Sequence, residues 1–330
     1  MDYTYLGRSG LRVSRLCLGT MNFGANTEEK EAFRIMDQAI DAGINFFDTA
    51  NMYGFRPGYG GRCGATEEIV GRWFSQGGGR REKVVLATKV FGDMHDESDG
   101  PNGEPGISAY KIRRHLEGSL KRLHTDSVDL YYIHDYDPHT GWAEIWDAFQ
   151  SHYAQGKILY VGACNFPARH LVSAQLEADR RHFFGLACSQ HKYNLQFRIP
   201  ELEMDAAARE LGLGVVTWSP LNMGMLSGNA LKPAAKEQRS AKFAGKLSDA
   251  QIVQLTKYAK LCEDFGESES TVALAWILAN PDITAPIIGP RTAGHFNDIL
   301  RALEVGLPQD LMDELDLIFP GASDLYNPFK

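Results

Sequence analysis

The sequence lacks the features that mark several large classes of protein. Its five cysteines form no C-x-x-C pair, and their odd number and scattered spacing suit neither a disulfide framework nor a zinc site. No run approaches the roughly 18 apolar residues that a membrane-spanning helix needs, and the N-terminus has no apolar signal core. These absences predict a protein of the reducing cytoplasm that is neither secreted nor membrane-bound and holds no metal.

Two phosphate-binding signatures are also missing, and positive charge is in deficit. The chain has no G-x-x-x-x-G-K-[ST] motif, and the segment after its first predicted strand reads LGTMNFG instead of G-x-G-x-x-G. The formal net charge is −8. We therefore expect neither a doubly wound nucleotide-binding fold nor nonspecific binding of nucleic acid.

The chain does contain a regular alternation of apolar strand-like runs and amphipathic helix-like runs. A hairpin turned on Gly10 is predicted first, and eight strand–helix units follow without a linker-like break. The first helix is predicted to begin with Thr27 as its N-cap. The strand-like runs are continuously apolar, as parallel strands covered on both faces must be. We predict one α/β domain over residues 1–330, a (β/α)8 TIM barrel with an N-terminal β-hairpin and extra C-terminal helices.

Polar side chains stand where several of these predicted strands end. The second strand ends in Asp48, with Tyr53 five residues on, the third carries Lys89, and the fourth ends in His134. In such a barrel the C-terminal strand ends converge on the face that carries the active site. An Asp–Lys pair would relieve the burial cost of both charges, and a lysine near a phenol lowers its pKa. The set predicts a tyrosine that donates a proton near neutral pH.

Each of these residues taken alone also has a purely structural interpretation. Asp48 could cap the following turn, Lys89 could extend to the barrel rim, and His134 could be a hydrogen-bonded core histidine. Three ionisable groups and a phenol on one barrel face favour the catalytic interpretation. The glycine-rich run over residues 54–64, directly after Tyr53, is interpreted as a mobile loop.

Several motifs in one order resemble the aldo-keto reductases over nearly the whole chain: GTMNFGA, GINFFDTANMYG, ATEEIVGRWF, VVLATKV, SVDLYYIH, GKILYVGACNF, TWSPLNMGMLSG and IIGPRT. The TWSPL segment looks most like the branch that includes bacterial members and the β subunits of voltage-gated potassium channels. The resemblance implies a (β/α)8 barrel that uses NAD(P)H, with Asp48, Tyr53, Lys89 and His134 as its catalytic tetrad. Tyr53 would then protonate the carbonyl oxygen. Lys89, paired with Asp48, would adjust the pKa of Tyr53, and His134 would orient the carbonyl.

The resemblance also implies a cofactor site that this chain matches less completely. Where the family usually has Ser-Asn against the carboxamide, this chain has Cys164 and Asn165. A thiol is a weak donor, so the contact would depend on Asn165 and Gln190, and Cys164 could equally be a small buried filler. Trp218 stands for the aromatic residue that stacks on the nicotinamide. The other implied cofactor contacts are Gly19, Thr20, Met21, Asp48, Ser219, Leu221, Gly224, Leu226, Arg239, Gly289, Arg291 and His295.

Residues near the C-terminus and one basic loop bear on the choice between NADP and NAD. By resemblance Arg291 lies where the 2′-phosphate is often contacted, whereas Ile299 replaces an asparagine expected at the adenine. The loop 229–247 carries one acid, Glu237, and a net charge of +4, which predicts an anion clamp for NADPH or NADP. The alternative is a solvated lysine-rich loop. Its cations are Lys232, Lys236, Arg239, Lys242 and Lys246.

The substrate is predicted only as a small-molecule carbonyl compound. The long acidic loop 91–106 is expected to border the carbonyl site and to be mobile, with Asp135 and Tyr136 facing the same cavity. We predict reduction of a natural-product or xenobiotic aldehyde or ketone. The alternatives are a keto-sugar reductase acting on nucleotide-activated sugars, a redox-sensing NADP-binding subunit that acts through a partner, and a barrel that only binds ligand. Symmetric assembly in this branch makes a homo-oligomer compatible with the sequence. Apolar walls are expected from Met21, Phe91 and Trp142.

Overall fold

Eight parallel strands close into a barrel. The computed structural model describes residues 1–54, 61–232 and 247–322. Each barrel strand pairs with the next one along the chain, and the last closes against the first, which confirms the predicted (β/α)8 barrel. The strands are β3 (Cys17–Gly19), β4 (Phe46–Asp48), β5 (Val85–Val90), β6 (Val128–Ile133), β7 (Ile158–Cys164), β8 (Leu186–Lys192), β9 (Gly214–Trp218) and β10 (Ala285–Ile288).

Helices alternate with these strands and cover the outside of the barrel. None of the helices in the described ranges is long and apolar enough to cross a membrane. The first helix begins after Glu28, so the predicted N-cap at Thr27 is wrong; the Thr27 hydroxyl donates instead to the carbonyl of Arg291 at 3.1 Å. The helices are α1 (Glu29–Asp41), α2 (Ala65–Phe74), α3 (Ala109–Leu123), α4 (Trp142–Ala154), α5 (Ala168–Arg180), α6 (Met204–Glu210), α7 (Asp249–Phe265), α8 (Glu269–Ala279), α9 (Phe296–Arg301) and α10 (Gln309–Ile318).

An antiparallel hairpin of β1 (Tyr3–Tyr5) and β2 (Arg12–Ser14) closes the N-terminal end of the barrel, as the sequence predicts. Leu6 and Val13 of this hairpin are fully buried and join the cluster that fills the barrel. The turn approaches β9 so closely that a Cβ on Gly7 would lie 2.3 Å from the backbone nitrogen of Gly214. The hairpin therefore seals one end of the barrel and leaves the other for the site.

The alternation of side chains along the strands places the charged residues inside the barrel. Phe46 belongs to the apolar cluster that fills the interior, and Asp48 lies two residues further along the same strand. Ala87 and Lys89 are related in the same way on β5, and the register pairs Asp48 with Ala87. Because side chains on a strand alternate between its faces, Asp48 and Lys89 both point inward at the C-terminal ends of their strands.

Candidate active site

The side chain of Lys89 on β5 contacts both Asp48, at the end of β4, and Tyr53, in the turn that follows β4. Its Nζ donates to Oδ1 of Asp48, to the carbonyl of Thr49 at 2.9 Å and to the hydroxyl of Tyr53 at 3.1 Å. Lys89 is fully buried. Burial alone would lower its pKa, but Asp48 and Tyr53 together raise the pKa of Lys89 above its ordinary value. The ammonium is therefore charged and fixed against the phenol.

The carboxylate of Asp48 is held on both of its oxygens. Lys89 binds Oδ1, and Nε2 of Gln190 on β8 donates to Oδ2 at 2.8 Å. Asp48 and Gln190 are both buried. Gln190 was predicted to contact the nicotinamide carboxamide, and its bond to Asp48 was not predicted, although an amide and an acid on one barrel face could have indicated it. Gln190 therefore binds the carboxylate oxygen of Asp48 that Lys89 does not contact.

The hydroxyl of Tyr53 remains a protonated phenol at neutral pH. Burial raises the pKa of Tyr53 above its ordinary value, and the charge of Lys89 opposes that rise without cancelling it. The lysine therefore lowers this pKa as predicted, and burial outweighs its effect. A phenol with a raised pKa that faces an ammonium can lose its proton to a reacting oxygen and leave the negative charge beside Lys89.

His134 lies across from Tyr53 at the end of β6. The two rings stand edge to face with their centroids 5.7 Å apart. Burial and the charge of Lys89 lower the pKa of His134 to about 3, so the imidazole is neutral. Within the described part of the chain, Nδ1 of His134 has no hydrogen-bond partner. The ring can therefore take the tautomer that a carbonyl oxygen beside Tyr53 requires.

The ends of β7 and β9 form a rim on which an aromatic ring is fixed. The indole nitrogen of Trp218 donates to Oδ1 of Asn165 at 2.9 Å, and the amide nitrogen of Asn165 donates to the carbonyl of His134 at 3.1 Å. Cys164, just before this asparagine, is fully buried in the cluster that fills the barrel. Burial raises its pKa well above the ordinary value, so the thiol is neutral, as a small filler would be.

The loop after β9 has a strained backbone. Ser219, Asn222 and Met223 have positive φ angles of 60°, 42° and 56°, and Asn165 after β7 has one of 60°. Asn194 donates to the carbonyl of Ser219 at 2.9 Å and holds this conformation. Left-handed residues other than glycine cluster at ligand-binding loops, which agrees with a cofactor rim here.

Three further residues after β9 that were predicted to contact the cofactor differ in their burial. Leu221 and Gly224 are half-buried, and the amide nitrogen of Gly224 donates to the carbonyl of Leu221 at 2.9 Å. Leu226 is fully buried and packs in the outer core. Its own amide donates to the carbonyl of Leu221 at 3.2 Å. The side chain and the amide of Leu226 thus both have partners within the protein, and its contact with a cofactor stays a prediction.

Two residues predicted to contact the cofactor, Gly19 at the end of β3 and Thr20 after it, also make contacts within the barrel. A Cβ on Gly19 would lie 2.5 Å from the side chain of Ile287, so β10 itself requires a glycine there. The hydroxyl of Thr20 donates to the carbonyl of Asp48 at 2.9 Å and fixes the end of β4. Met21 is exposed at the same mouth. Gly289, after β10, accepts a hydrogen bond from the Asn22 side chain at 3.0 Å.

The residues assigned to the adenosine end are gathered after β10. Arg291 is half-buried, and its backbone nitrogen donates to Nδ1 of His295 at 3.3 Å. Ile299 is buried in the outer core, so no polar side chain occupies that position of α9. Lys232 is the one cation of the basic loop that falls within the described residues, and it is exposed. The predicted anion clamp is otherwise untested, because Lys236, Glu237, Arg239, Lys242 and Lys246 lie outside the described residues.

The loop expected to border the substrate is anchored at several points. It contains a short 3₁₀ helix, Glu97–Gly103. The buried amine of Lys111 donates to the carbonyl of Gly103 at 2.9 Å, and Asp137 accepts from the amide of Ile107 at 3.0 Å. These contacts tie the C-terminal part of the loop to α3 and to Asp137, and the mobility of residues 91–106 stays a prediction. In the glycine-rich run after Tyr53, residues 55–60 lie outside the described part.

Aromatic side chains line the mouth next to His134. Tyr136 stacks on His170 with ring centroids 3.7 Å apart and meets Phe166 edge to face. Phe166 also contacts Trp142, at 5.7 Å between centroids. The predicted apolar wall at Trp142 thus belongs to a larger aromatic group that also includes Phe166 and His170.

The residues present fit a nicotinamide cofactor. Trp218 offers a fixed ring at the end of β9, Asn165 offers an amide beside it, and Arg291 offers a cation near the end of β10. Trp218 is the last residue of β9, and Asn165 and Arg291 follow β7 and β10, so all three lie at the C-terminal strand ends, where (β/α)8 barrels bind their ligands. Among the described residues no cluster of His, Cys, Asp and Glu could hold a metal ion.

The chain is similar over nearly its whole length to known oxidoreductases and related proteins. A sequence model described as the aldo/keto reductase family matches residues 15–319. The chain is 57% identical over 321 residues to the uncharacterized oxidoreductase YrpG of Bacillus subtilis, covering 97% of each protein. It is 33% identical over 329 residues to a probable voltage-gated potassium channel subunit beta of Oryza sativa, covering 96% of each. It is 28% identical to the protein tas of Escherichia coli over 339 residues, 96% of this chain and 97% of the relative.

Proposed function

The chain belongs to the aldo/keto reductase family, and from that premise we propose that it reduces aldehydes and ketones to alcohols with NADPH, with Tyr53 as proton donor. One observation carries the proposal. Lys89 Nζ lies 3.1 Å from the Tyr53 hydroxyl while its charge is balanced by Asp48. This arrangement stabilises the phenolate that remains when Tyr53 gives up its proton, so it supports proton donation by Tyr53.

The reaction divides between the cofactor and the protein. NADPH, when bound, supplies the hydride that reduces the carbonyl carbon. Tyr53 donates its hydroxyl proton to the carbonyl oxygen as negative charge develops there. Lys89 then faces the phenolate, and Asp48, held by Gln190, keeps the lysine in place. The neutral imidazole of His134 donates a hydrogen bond to the same oxygen and orients the substrate.

We propose that the chain prefers NADPH over NADH because the Arg291 side chain, on the loop after β10, binds the 2′-phosphate. A guanidinium binds phosphate oxygens through two parallel hydrogen bonds, which a ribose hydroxyl cannot match. The five cysteines, all free thiols, fit a protein that works in the reducing cytoplasm. A homo-oligomer is a separate proposal, which light scattering can test.

A redox-sensing role through a partner is the second candidate, and the similarity to a probable potassium channel subunit favours it. In that role the barrel would bind NADP(H) and a partner would read the bound form. A keto-sugar reductase differs from the first proposal only in its substrate.

A substrate panel followed by NADPH absorbance distinguishes these functions. The panel contains aromatic aldehydes, aliphatic ketones, a nucleotide-activated keto sugar and a macrolide aldehyde. The proposed function predicts NADPH consumption and an alcohol product with at least one aldehyde. Selective turnover of the keto sugar would favour the sugar reductase. Tight NADPH binding without turnover on any member would contradict carbonyl reduction and leave the sensing role.

A further inference from the structure

A chain of three buried polar side chains connects the turn that carries Tyr53 to the loop after β5. Nδ2 of Asn51 donates to Nδ1 of His115 on α3 at 2.9 Å. Nε2 of His115 lies 3.2 Å from Oδ2 of Asp99 in the 3₁₀ helix of that loop. All three side chains are at least nine-tenths buried. None of them belongs to the catalytic tetrad.

The chemistry of the two ends fixes the tautomer of the histidine between them. An ionised Asp99 carboxylate only accepts hydrogen bonds, so the imidazole proton lies on Nε2. Nδ1 is then a lone-pair acceptor for the Asn51 amide. Burial lowers the pKa of His115 below its ordinary value, which keeps the ring neutral and Nδ1 free to accept. Asp99 thereby selects the form of His115 that binds Asn51.

Asn51 lies on the short path between the acid of the site and its phenol. Its backbone nitrogen donates to the carbonyl of Lys89 at 3.2 Å, and the Tyr53 nitrogen donates to the carbonyl of Ala50 at 3.2 Å. The Asn51 side chain is fully buried, and His115 is the partner of its amide nitrogen. His115 therefore fixes the middle of the turn that carries the Tyr53 ring towards Lys89.

The other end of the chain is anchored by a basic residue of the same helix. Nε of Arg114 donates to Oδ1 of Asp99, while His115 binds Oδ2. Lys111, four residues before His115, holds the carbonyl of Gly103 at 2.9 Å. One face of α3 thus holds the loop by Lys111 and the Tyr53 turn by His115.

We propose that His115 is a positioning residue of the active site: it accepts the Asn51 hydrogen bond, sets the turn between Asp48 and Tyr53, and takes its tautomer from Asp99. The proposal rests on the proposed function, because its effect on the reaction is read through proton donation by Tyr53. Loss of the Nδ1 acceptor leaves the Asn51 amide buried without a partner, and the turn moves to satisfy it. A small displacement of the phenol reduces the rate of the chemical step.

Two substitutions of similar size separate positioning from packing. In His115→Asn the amide oxygen occupies the place of Nδ1 and accepts from Asn51, whereas the contact with Asp99 is lost. In His115→Gln the side chain reaches Asp99 but offers no acceptor at the Nδ1 place. Positioning predicts that kcat falls by roughly tenfold to a hundredfold in His115→Gln and His115→Ala and is largely restored in His115→Asn. KM and the Kd for NADPH stay near those of the wild type.

A packing role predicts the opposite order, since glutamine fills the space of histidine better than asparagine does. His152→Ala is the matched control, because His152 is a buried histidine on α4 with no place in the site. It should lose stability without losing kcat. If His115→Gln keeps full kcat while His115→Asn loses it, or if all three His115 variants keep full kcat, the positioning role is overturned.

A double-mutant cycle with Asn51→Leu tests whether the two residues act together. If His115 acts through Asn51, the double variant Asn51→Leu/His115→Ala has the same kcat as the more affected single variant. Independent, multiplicative losses would contradict the proposal.

A second measurement does not depend on turnover. Nitrogen-15 NMR of the wild type should show the His115 proton on Nε2, and Asn51→Leu should shift the Nδ1 resonance towards that of a free acceptor. If no substrate of the panel is reduced, the proposed function fails. This spectrum still tests the hydrogen bonds that link Asn51, His115 and Asp99. A proton on Nδ1 of His115 in the wild type would contradict the proposed hydrogen bond from Asn51 to His115 and would leave the proposal of carbonyl reduction unaffected.

Discussion

The amide nitrogen of Gln190 donates to Oδ2 of Asp48 at 2.8 Å, on the opposite side of the carboxylate from Lys89. This contact crosses the barrel from β8 to β4. It gives each oxygen of the buried carboxylate a hydrogen-bond donor. The charge of Asp48 in turn maintains the charge of Lys89, so the electrostatic state of the phenol depends on three strands.

The first prediction concerns the buried ion pair. Asp48→Asn leaves the Lys89 ammonium buried without a counter-charge, and we expect the free energy of unfolding to fall by about 3–5 kcal/mol. Asp48→Asn/Lys89→Met removes both charges and should recover much of that loss while showing no carbonyl reduction. Urea denaturation and NADPH absorbance measure the two effects separately.

The control for the ion pair is Glu117→Gln, which breaks the partly exposed pair with Lys157. That variant should change the free energy of unfolding by no more than about 1 kcal/mol. Equal stability losses in Asp48→Asn and in the double variant would show that Lys89 does not need Asp48 as a counter-charge.

The sequence predicted the barrel and the placing of Asp48 and Lys89 because both follow from periodicity. Continuous apolar runs separated by helices specify parallel strands, and a polar residue two positions after an inward apolar one must also point inward. The grouping of Asp48, Lys89, Tyr53 and His134 followed from the convergence of strand ends. The mouth of the barrel could thus be located without coordinates.

Contacts across the barrel and from the helices could not be predicted from one sequence. Gln190 meets Asp48 over a separation of 142 residues, and His115 on α3 meets Asn51 over a separation of 64 residues. The direction of the Tyr53 pKa shift depends on how far the hydroxyl is buried compared with its distance from Lys89. No local pattern fixes the balance of two opposing effects of that kind.

The second prediction is the pH dependence of the reduction. Tyr53 must be protonated to act as an acid, so activity is lost as pH rises through its pKa, and burial raises that pKa above the ordinary phenol value of about 10. The pKa of His134, lowered to about 3, keeps that ring neutral at all higher pH values. We therefore expect kcat for reduction to be flat from about pH 6 to about pH 9. An inflection near pH 7 in a pH–rate profile would mean that another group is the acid.

The third prediction concerns cofactor preference. Arg291→Ala should weaken the binding of NADPH far more than that of NADH, because only NADPH has the phosphate that the guanidinium would contact. Fluorescence titration with both cofactors measures the ratio of the two dissociation constants. Arg301→Ala is the control, since this nearby arginine pairs with Glu267 on the outer surface. Equal losses for the two cofactors would show that Arg291 does not contact the 2′-phosphate.

The central claim is that the Tyr53 hydroxyl gives the proton, and Tyr53→Phe removes that hydroxyl and little else. Tyr160→Phe is the matched control, because Tyr160 lies on β7 against Phe184 and takes no part in the site. The direct measurement is single-turnover oxidation of bound NADPH by an aromatic aldehyde in wild type, Tyr53→Phe and Tyr160→Phe. Proton donation by Tyr53 predicts a rate lower by roughly a hundredfold to ten-thousandfold in Tyr53→Phe alone, with unchanged NADPH affinity. A near-normal rate in Tyr53→Phe would contradict it.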